Sequence, residues 1–136
     1  MNPAVLLVDD DRAALYALRE VLSDLPVEVV LAGSGEEALR QVLKRQFAAI
    51  MLDVRLPNMD GFEVAAAIRS VERLRRTPIV FMSAHDDRRR SRRGGLEDYL
   101  RKPLSPEVVR AKIAAFVAPP VPLDLQQLDM ENRPAT

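Results

Sequence analysis

Apolar residues come in two alternating textures along this chain. Short uninterrupted runs at residues 4–8, 48–52 and 79–82 carry no polar side chain, and each reads as a strand buried on both faces. Two further runs are less pure. Residues 27–31 include Glu28, and residues 99–100 lie among charges, which suits both for the edges of a sheet. Between the runs the apolar positions switch to a helical period: Leu15, Leu18, Leu22 and Leu25 in the first stretch, and Leu39, Val42 and Leu43 in the second. Val64, Ile68 and Val71 make the third such stripe, and Val109, Ile113 and Phe116 the last.

The helix starts are marked as well. Ser34 with Glu37, and Asp60 with Glu63, have the spacing of a capping residue and its acidic partner. Ser105 caps the last helix, with Pro106 in its first turn and Leu104 placed to staple onto Val109. Strand and helix alternating in this way predict a parallel sheet covered on both faces. Right-handed crossovers leave few topologies. The five-stranded doubly wound order 2-1-3-4-5, flavodoxin-like, puts the two polar strands at the edges. One segment fits poorly: residues 86–95 carry five arginines between Arg88 and Arg93, then Gly94-Gly95, and no apolar residue at helical spacing. A short or irregular fourth helix is expected there. From Pro119 the chain turns proline-rich, so residues 1–118 read as one domain and residues 119–136 as a loose tail or linker.

Composition narrows the chemistry. The chain has 136 residues, with 20 Lys+Arg against 20 Asp+Glu, so no global field favours nucleic acid or an anionic membrane. It has no cysteine and one histidine, His85, which excludes disulfides, thiolate-bound metals, thiol catalysis and a multi-histidine metal site. No apolar run approaches the ~20 residues of a membrane span, and no signal peptide is visible. A cytoplasmic protein is expected.

In an open sheet of this order, ligands sit beyond the carboxyl ends of the strands, where the first and third diverge. Asp9 and Asp10 follow the first strand, and Asp53 closes the third. Three converging carboxylates call for a hard cation, and Mg²⁺ suits one or two carboxylates, a carbonyl and waters. Ser83 ends the fourth strand and Lys102 follows the fifth. Taken singly, each has an ordinary structural role: a solvated acidic loop, a turn serine, a surface lysine. Together, a hydroxyl and an ammonium beside a metal-held carboxylate can steady phosphoryl oxygens while the carboxylate attacks phosphorus.

Over roughly residues 4–118 the chain resembles the receiver domains of two-component response regulators. The resemblance is carried by Val5-Leu6-Leu7-Val8-Asp9-Asp10-Asp11, Leu52-Asp53-Val54-Arg55-Leu56-Pro57-Asn58-Met59-Asp60-Gly61, Phe81-Met82-Ser83-Ala84 and Tyr99-Leu100-Arg101-Lys102-Pro103. It implies a regulatory phosphoacceptor, usually not counted as an enzyme, that catalyses its own phosphotransfer and slow dephosphorylation. Asp53 would be the phosphoacceptor, with Asp10 and Asp53 as direct Mg²⁺ ligands, Asp9 acting through water and the Arg55 carbonyl completing the protein ligands. Ser83 would be the switch hydroxyl, Lys102 the phosphoryl-pairing lysine and Tyr99 the rotamer switch, with a cis peptide before Pro103. The donor would be a phosphohistidine on a sensor histidine kinase or a histidine phosphotransfer protein. Arg55 and His85, two residues past acceptor and switch hydroxyl, occupy the positions that tune dephosphorylation in such domains.

The stretch from Ser83 to Lys102 is a few residues shorter than receivers commonly have, and the shortening falls on the expected fourth helix. The arginine cluster reads either as a solvated face or as a contact to an acidic partner or to phosphates. No nucleic acid is assigned to the domain itself, and homodimerisation stays open. The chain is either a stand-alone receiver or an excerpt of a longer regulator. The alternative is a pseudo-receiver acting without phosphorylation, which intact Asp53, Ser83 and Lys102 argue against. A flavin binder would want a phosphate loop where Asp9-Asp10-Asp11 stands.

Overall fold

Five parallel strands lie in the order β2-β1-β3-β4-β5 in the computed structural model, which describes residues 2–86 and 97–118. The strands are β1 (Ala4–Val8), β2 (Glu28–Ala32), β3 (Ala49–Asp53), β4 (Ile79–Ser83) and β5 (Glu97–Arg101). The helices of the described residues are α1 (Arg12–Val21), α2 (Gly35–Lys44), α3 (Gly61–Arg69) and α4 (Pro106–Val117), with a 3₁₀ turn at Glu72–Leu74. The three apolar runs became the three central strands, buried at every position. The two polar runs became the edges, as their charges require.

Alternation along the strands splits the core in two. Leu6, Val8, Ile50, Leu52, Ile79 and Phe81 face one side, where α2 and α3 contribute Ala38, Val42, Val64 and Ile68. Val5, Leu7, Met51, Val80 and Met82 face the other, against Leu15 and Leu18 of α1 and Val109 and Ile113 of α4. Leu104 packs into this second cluster with Val109, the expected staple.

Caps start the helices. The Asp11 side chain accepts from the amides of Ala13 and Ala14 at the head of α1. Ser34 Oγ accepts from the Glu37 amide at 3.1 Å, and Asp60 Oδ1 from the Glu63 amide at 2.9 Å. Glu37 does not close the box on Ser34; its carboxylate reaches one residue further back, to the Gly33 amide at 2.8 Å.

Some expectations need correction. Leu43 is 63% exposed and takes no part in the α2 stripe. Gly35, Ala38 and Val42 form that stripe, and Leu43 lies about 100° on around the helix from Val42. Leu25 lies beyond the end of α1, and Val71 beyond the end of α3, yet both still pack on the core. β2 begins one residue later than its apolar run, and β5 extends to both sides of Tyr99-Leu100. The expected irregular fourth helix falls largely on residues 87–96 and the tail on 119–136, both outside the described residues. Among the described residues no helix is long and apolar enough to cross a membrane.

Candidate functional site

Parallel pairing brings the candidate residues to one edge. Val8 pairs with Leu52, so Asp9 and Asp53 leave adjacent strands at the same level, and Asp53 pairs in turn with Met82, just before Ser83. Asp9 (1% exposed) and Asp53 (5%) are buried, while Asp10 is exposed. One carboxylate oxygen from each of Asp9, Asp10 and Asp53 lies within 4.8 Å of the other two. That spacing and an all-oxygen donor set suit a small hard cation.

Lys102 reaches into this group. Its Nζ lies 2.9 Å from Asp9 Oδ2 and 2.9 Å from Asp53 Oδ2. The other oxygens of the two acids are held by the backbone: Asp11 N–H donates to Asp9 Oδ1 and Arg55 N–H to Asp53 Oδ1, each at 2.9 Å. Burial pushes the Asp53 carboxyl above the ordinary range, and repulsion from Asp9 adds to this, against the pull of Lys102 and the Arg55 amide. For Lys102 burial works to lower the value, but the bonds to Asp53 and Asp9 outweigh it and the ammonium is raised. The lysine is therefore held charged between two acids, and the Lys102–Pro103 peptide that follows is cis, as expected.

Ser83 is fully buried at the end of β4, and its Oγ accepts from the His85 amide at 3.0 Å. The Tyr99 hydroxyl donates to the His85 carbonyl, so the backbone after β4 is held from both sides while His85 itself is exposed. Lys102 N–H donates to the Ser83 carbonyl at 2.8 Å, tying the end of β5 to the end of β4. Arg55, exposed, lines an open cleft with Asp10, Val54, Leu56, Pro57 and Asp60.

Two features escaped sequence reasoning. The bond of Lys102 to Asp9, as well as to Asp53, has no signal in the spacing. The other is Gly61. The loop after β3 turns back through Asn58 (φ 69°), a left-handed conformation asparagine tolerates, so that the Gly61 amide donates to the Val54 carbonyl at 2.9 Å. A β-carbon on Gly61 would lie 2.4 Å from the Asp53 carbonyl oxygen and 2.9 Å from Val54 Cα. The signal was present, since Met59-Asp60-Gly61 closes the segment that begins at Leu52-Asp53, but only the packing shows what the glycine does.

The profile of the response regulator receiver domain matches residues 5–114. The chain belongs to this family. Among curated relatives, the receiver is 38% identical over 109 residues to the sensor protein GacS of Pseudomonas syringae pv. syringae, covering 76% of this chain and 12% of that protein. It is 39% identical over 116 residues to the response regulator MprA of Mycobacterium leprae, covering 83% and 50%. With the transcriptional regulatory protein PhoP of Bacillus subtilis the figures are 34% over 120 residues, 86% and 49%. The chain thus spans half or less of these relatives' length. Among solved structures, the receiver superposes on the chemotaxis response regulator CheY4 of Vibrio cholerae with TM-score 0.78 at 29% identity, covering 85% of this chain and 99% of that one. It matches the receiver domain of the sensor histidine kinase PA1611 of Pseudomonas aeruginosa equally well, with TM-score 0.78 at 29% identity over 88% of this chain and 100% of that one. The PA1611 domain carries a magnesium ion coordinated in its active-site cleft.

Proposed function

We propose that this receiver takes a phosphoryl group onto Asp53 from the phosphohistidine of a sensor histidine kinase or phosphotransfer protein, and that phosphorylation changes its contacts with an output partner. The observation that carries this is the Lys102 ammonium, 2.9 Å from the carboxylate of a buried strand-end aspartate whose other oxygen is pinned by a backbone amide. A carboxylate oxygen of Asp53 attacks phosphorus, the phosphorus–nitrogen bond to the donor imidazole breaks, and the imidazole keeps that electron pair. The product is a doubly negative acyl phosphate in place of a singly negative carboxylate, in a crevice that already holds Asp9 and Asp10. Lys102 is the chain's own counter-charge for that product.

Asp10 and Asp53 would hold Mg²⁺ directly and Asp9 through water, and the Arg55 carbonyl would complete the protein ligands. The convergence of the three carboxylates and the magnesium in the cleft of the PA1611 receiver support this set. When bound, the ion neutralises the crowded carboxylates and the incoming phosphoryl oxygens. Ser83 is the hydroxyl that turns to the phosphoryl group, and Tyr99, already bonded to the loop that follows Ser83, carries the change outward. Arg55 and His85 bear bulky hydrogen-bond donors and no carboxylate or amide to orient an attacking water, so they slow hydrolysis of the phosphoaspartate. Only ~1.4 kcal/mol of barrier separates each tenfold step in that rate.

The test is label transfer from a histidine-phosphorylated donor in Mg²⁺ and in a chelator. Label should reach the receiver only with Mg²⁺, and Asp10→Asn should shift the Mg²⁺ requirement to higher concentration. Transfer undiminished by the chelator would reject the metal assignment. After donor removal, Arg55→Asn and His85→Glu should lose label faster than the native chain, and equal or slower loss would reject their role.

A further inference from the structure

At the end of the sheet opposite the acidic crevice, cations accumulate around the turn between α3 and β4. Arg73, Arg75 and Arg76, with Glu72, line a cleft of about 450 Å³ there. The turn is a fixed platform. Arg69 Nη1 donates to the carbonyls of Leu74 and Thr77, at 3.2 and 2.6 Å, and Leu74 is buried beneath them. Arg73 donates to the Val42 carbonyl at 2.7 Å, which seats the cleft against the last turn of α2. Leu43 and Lys44 follow directly, both exposed, and Arg40 lies one turn earlier on the same side as Leu43.

Not all of this charge is explained by the fold. Arg73 and Lys44 complement the carbonyl end of α2, an ordinary role for basic residues there. Arg75 and Arg76 lie beyond it, both exposed. Glu72 reaches Arg75 at 3.4 Å, a solvent-exposed pair that contributes little and exchanges readily. Asp9, Asp10, Asp53, Asp60 and Glu63 lie at the other end of the strands, while Glu28 and Asp24 at this end are paired with Arg45 and Arg110. Leu43, which follows the Val42 whose carbonyl Arg73 holds, is the most exposed large hydrophobic residue among those described.

We infer that this surface binds an acidic protein segment carrying an apolar side chain, its carboxylates meeting Arg75 and Arg76 and its apolar residue meeting Leu43. A cluster around one cleft fits this occupant better than nucleic acid, which asks for cations in a stripe along a phosphate backbone, and no aromatic side chain lines the cleft for base stacking. A lone leucine is too small an apolar face for a membrane. Because the backbone beneath Arg75 and Arg76 is braced by Arg69, only side chains need ordering on binding. The surface lies at the opposite end of the strands from Asp53.

The experiment is fluorescence anisotropy of the full chain with a short labelled peptide of glutamates around central leucines. Binding should weaken about tenfold in the Arg75→Glu, Arg76→Glu double variant, as expected when charges meeting a partner are reversed. It should weaken on Leu43→Ser and with added salt, and tighten in Glu72→Gln, which releases Arg75. Phosphoryl uptake by Asp53 should be the same in all these variants, which shows that they remain folded. Absence of binding, affinity unchanged in the double variant, or equal affinity for a peptide with serines in place of leucines would overturn the inference. So would equally tight, Arg75- and Arg76-dependent binding of duplex DNA or of phosphatidylserine vesicles.

Discussion

Asp9 and Asp53 are buried side by side, and the ammonium of Lys102 is the positive group between them. Taking it away leaves two carboxylates in a poorly solvated crevice, a kind of change that costs about 3–5 kcal/mol. Lys102→Met should therefore melt well below the native chain in a chelator, and Mg²⁺ should narrow the gap by supplying another counter-charge. Thermal unfolding with and without Mg²⁺ reads this directly, and an unchanged melting temperature in chelator would refute the lysine's bridging role. Gly61→Ala should also destabilise, by about 1–3 kcal/mol, because its β-carbon meets backbone rather than a movable side chain. A matching loss of phosphoryl uptake is expected, since the atoms it displaces belong to Asp53 and Val54. The acids, the lysine and the serine were legible because each closes a strand. The bond of Lys102 to Asp9 was not, because it depends on how far a flexible side chain reaches across two strands.

Among the elements, α4 is held to its neighbours by two ion pairs as well as by its apolar stripe. Lys112 pairs with Asp98 of β5, and Arg110 with Asp24 just beyond α1. Burial acts to raise the Asp98 carboxyl, but the Lys112 ammonium and the Tyr99 amide outweigh it, so the group lies below its usual value of 3.8. A depressed carboxyl contributes stability above its unfolded value and loses it as pH falls through the folded one. Asp98→Asn should therefore cost a little stability at neutral pH, up to about 1 kcal/mol for so exposed a pair. The difference from the native chain should shrink as pH falls past 3.8 and vanish below the folded value, as urea titrations across that range would show. A difference persisting in acid would mean that packing, and not charge, sets the effect. The central strands were legible because continuous apolar runs leave no other fate. Helix faces were less so: Leu43 keeps a helical period with Leu39, yet its angle carries it past the buried stripe into solvent.

At the scale of the whole molecule, the strand order followed from polarity, since Glu28 and the charges around Tyr99 would be costly anywhere but an edge. The separation of charge was hidden, because a net charge of zero says nothing about where the acids and bases lie. Only the parallel direction of all five strands sends the crevice acids to one end and the turn arginines to the other. This arrangement, we propose, makes Asp53 a phosphoacceptor. Intact mass after incubation with acetyl phosphate and Mg²⁺ tests it most directly, in the native chain and in Asp53→Asn. The native chain should gain the mass of one phosphoryl group, and Asp53→Asn, folded and of native secondary structure, should gain none. No gain by the native chain, or the same gain by Asp53→Asn, would contradict the account.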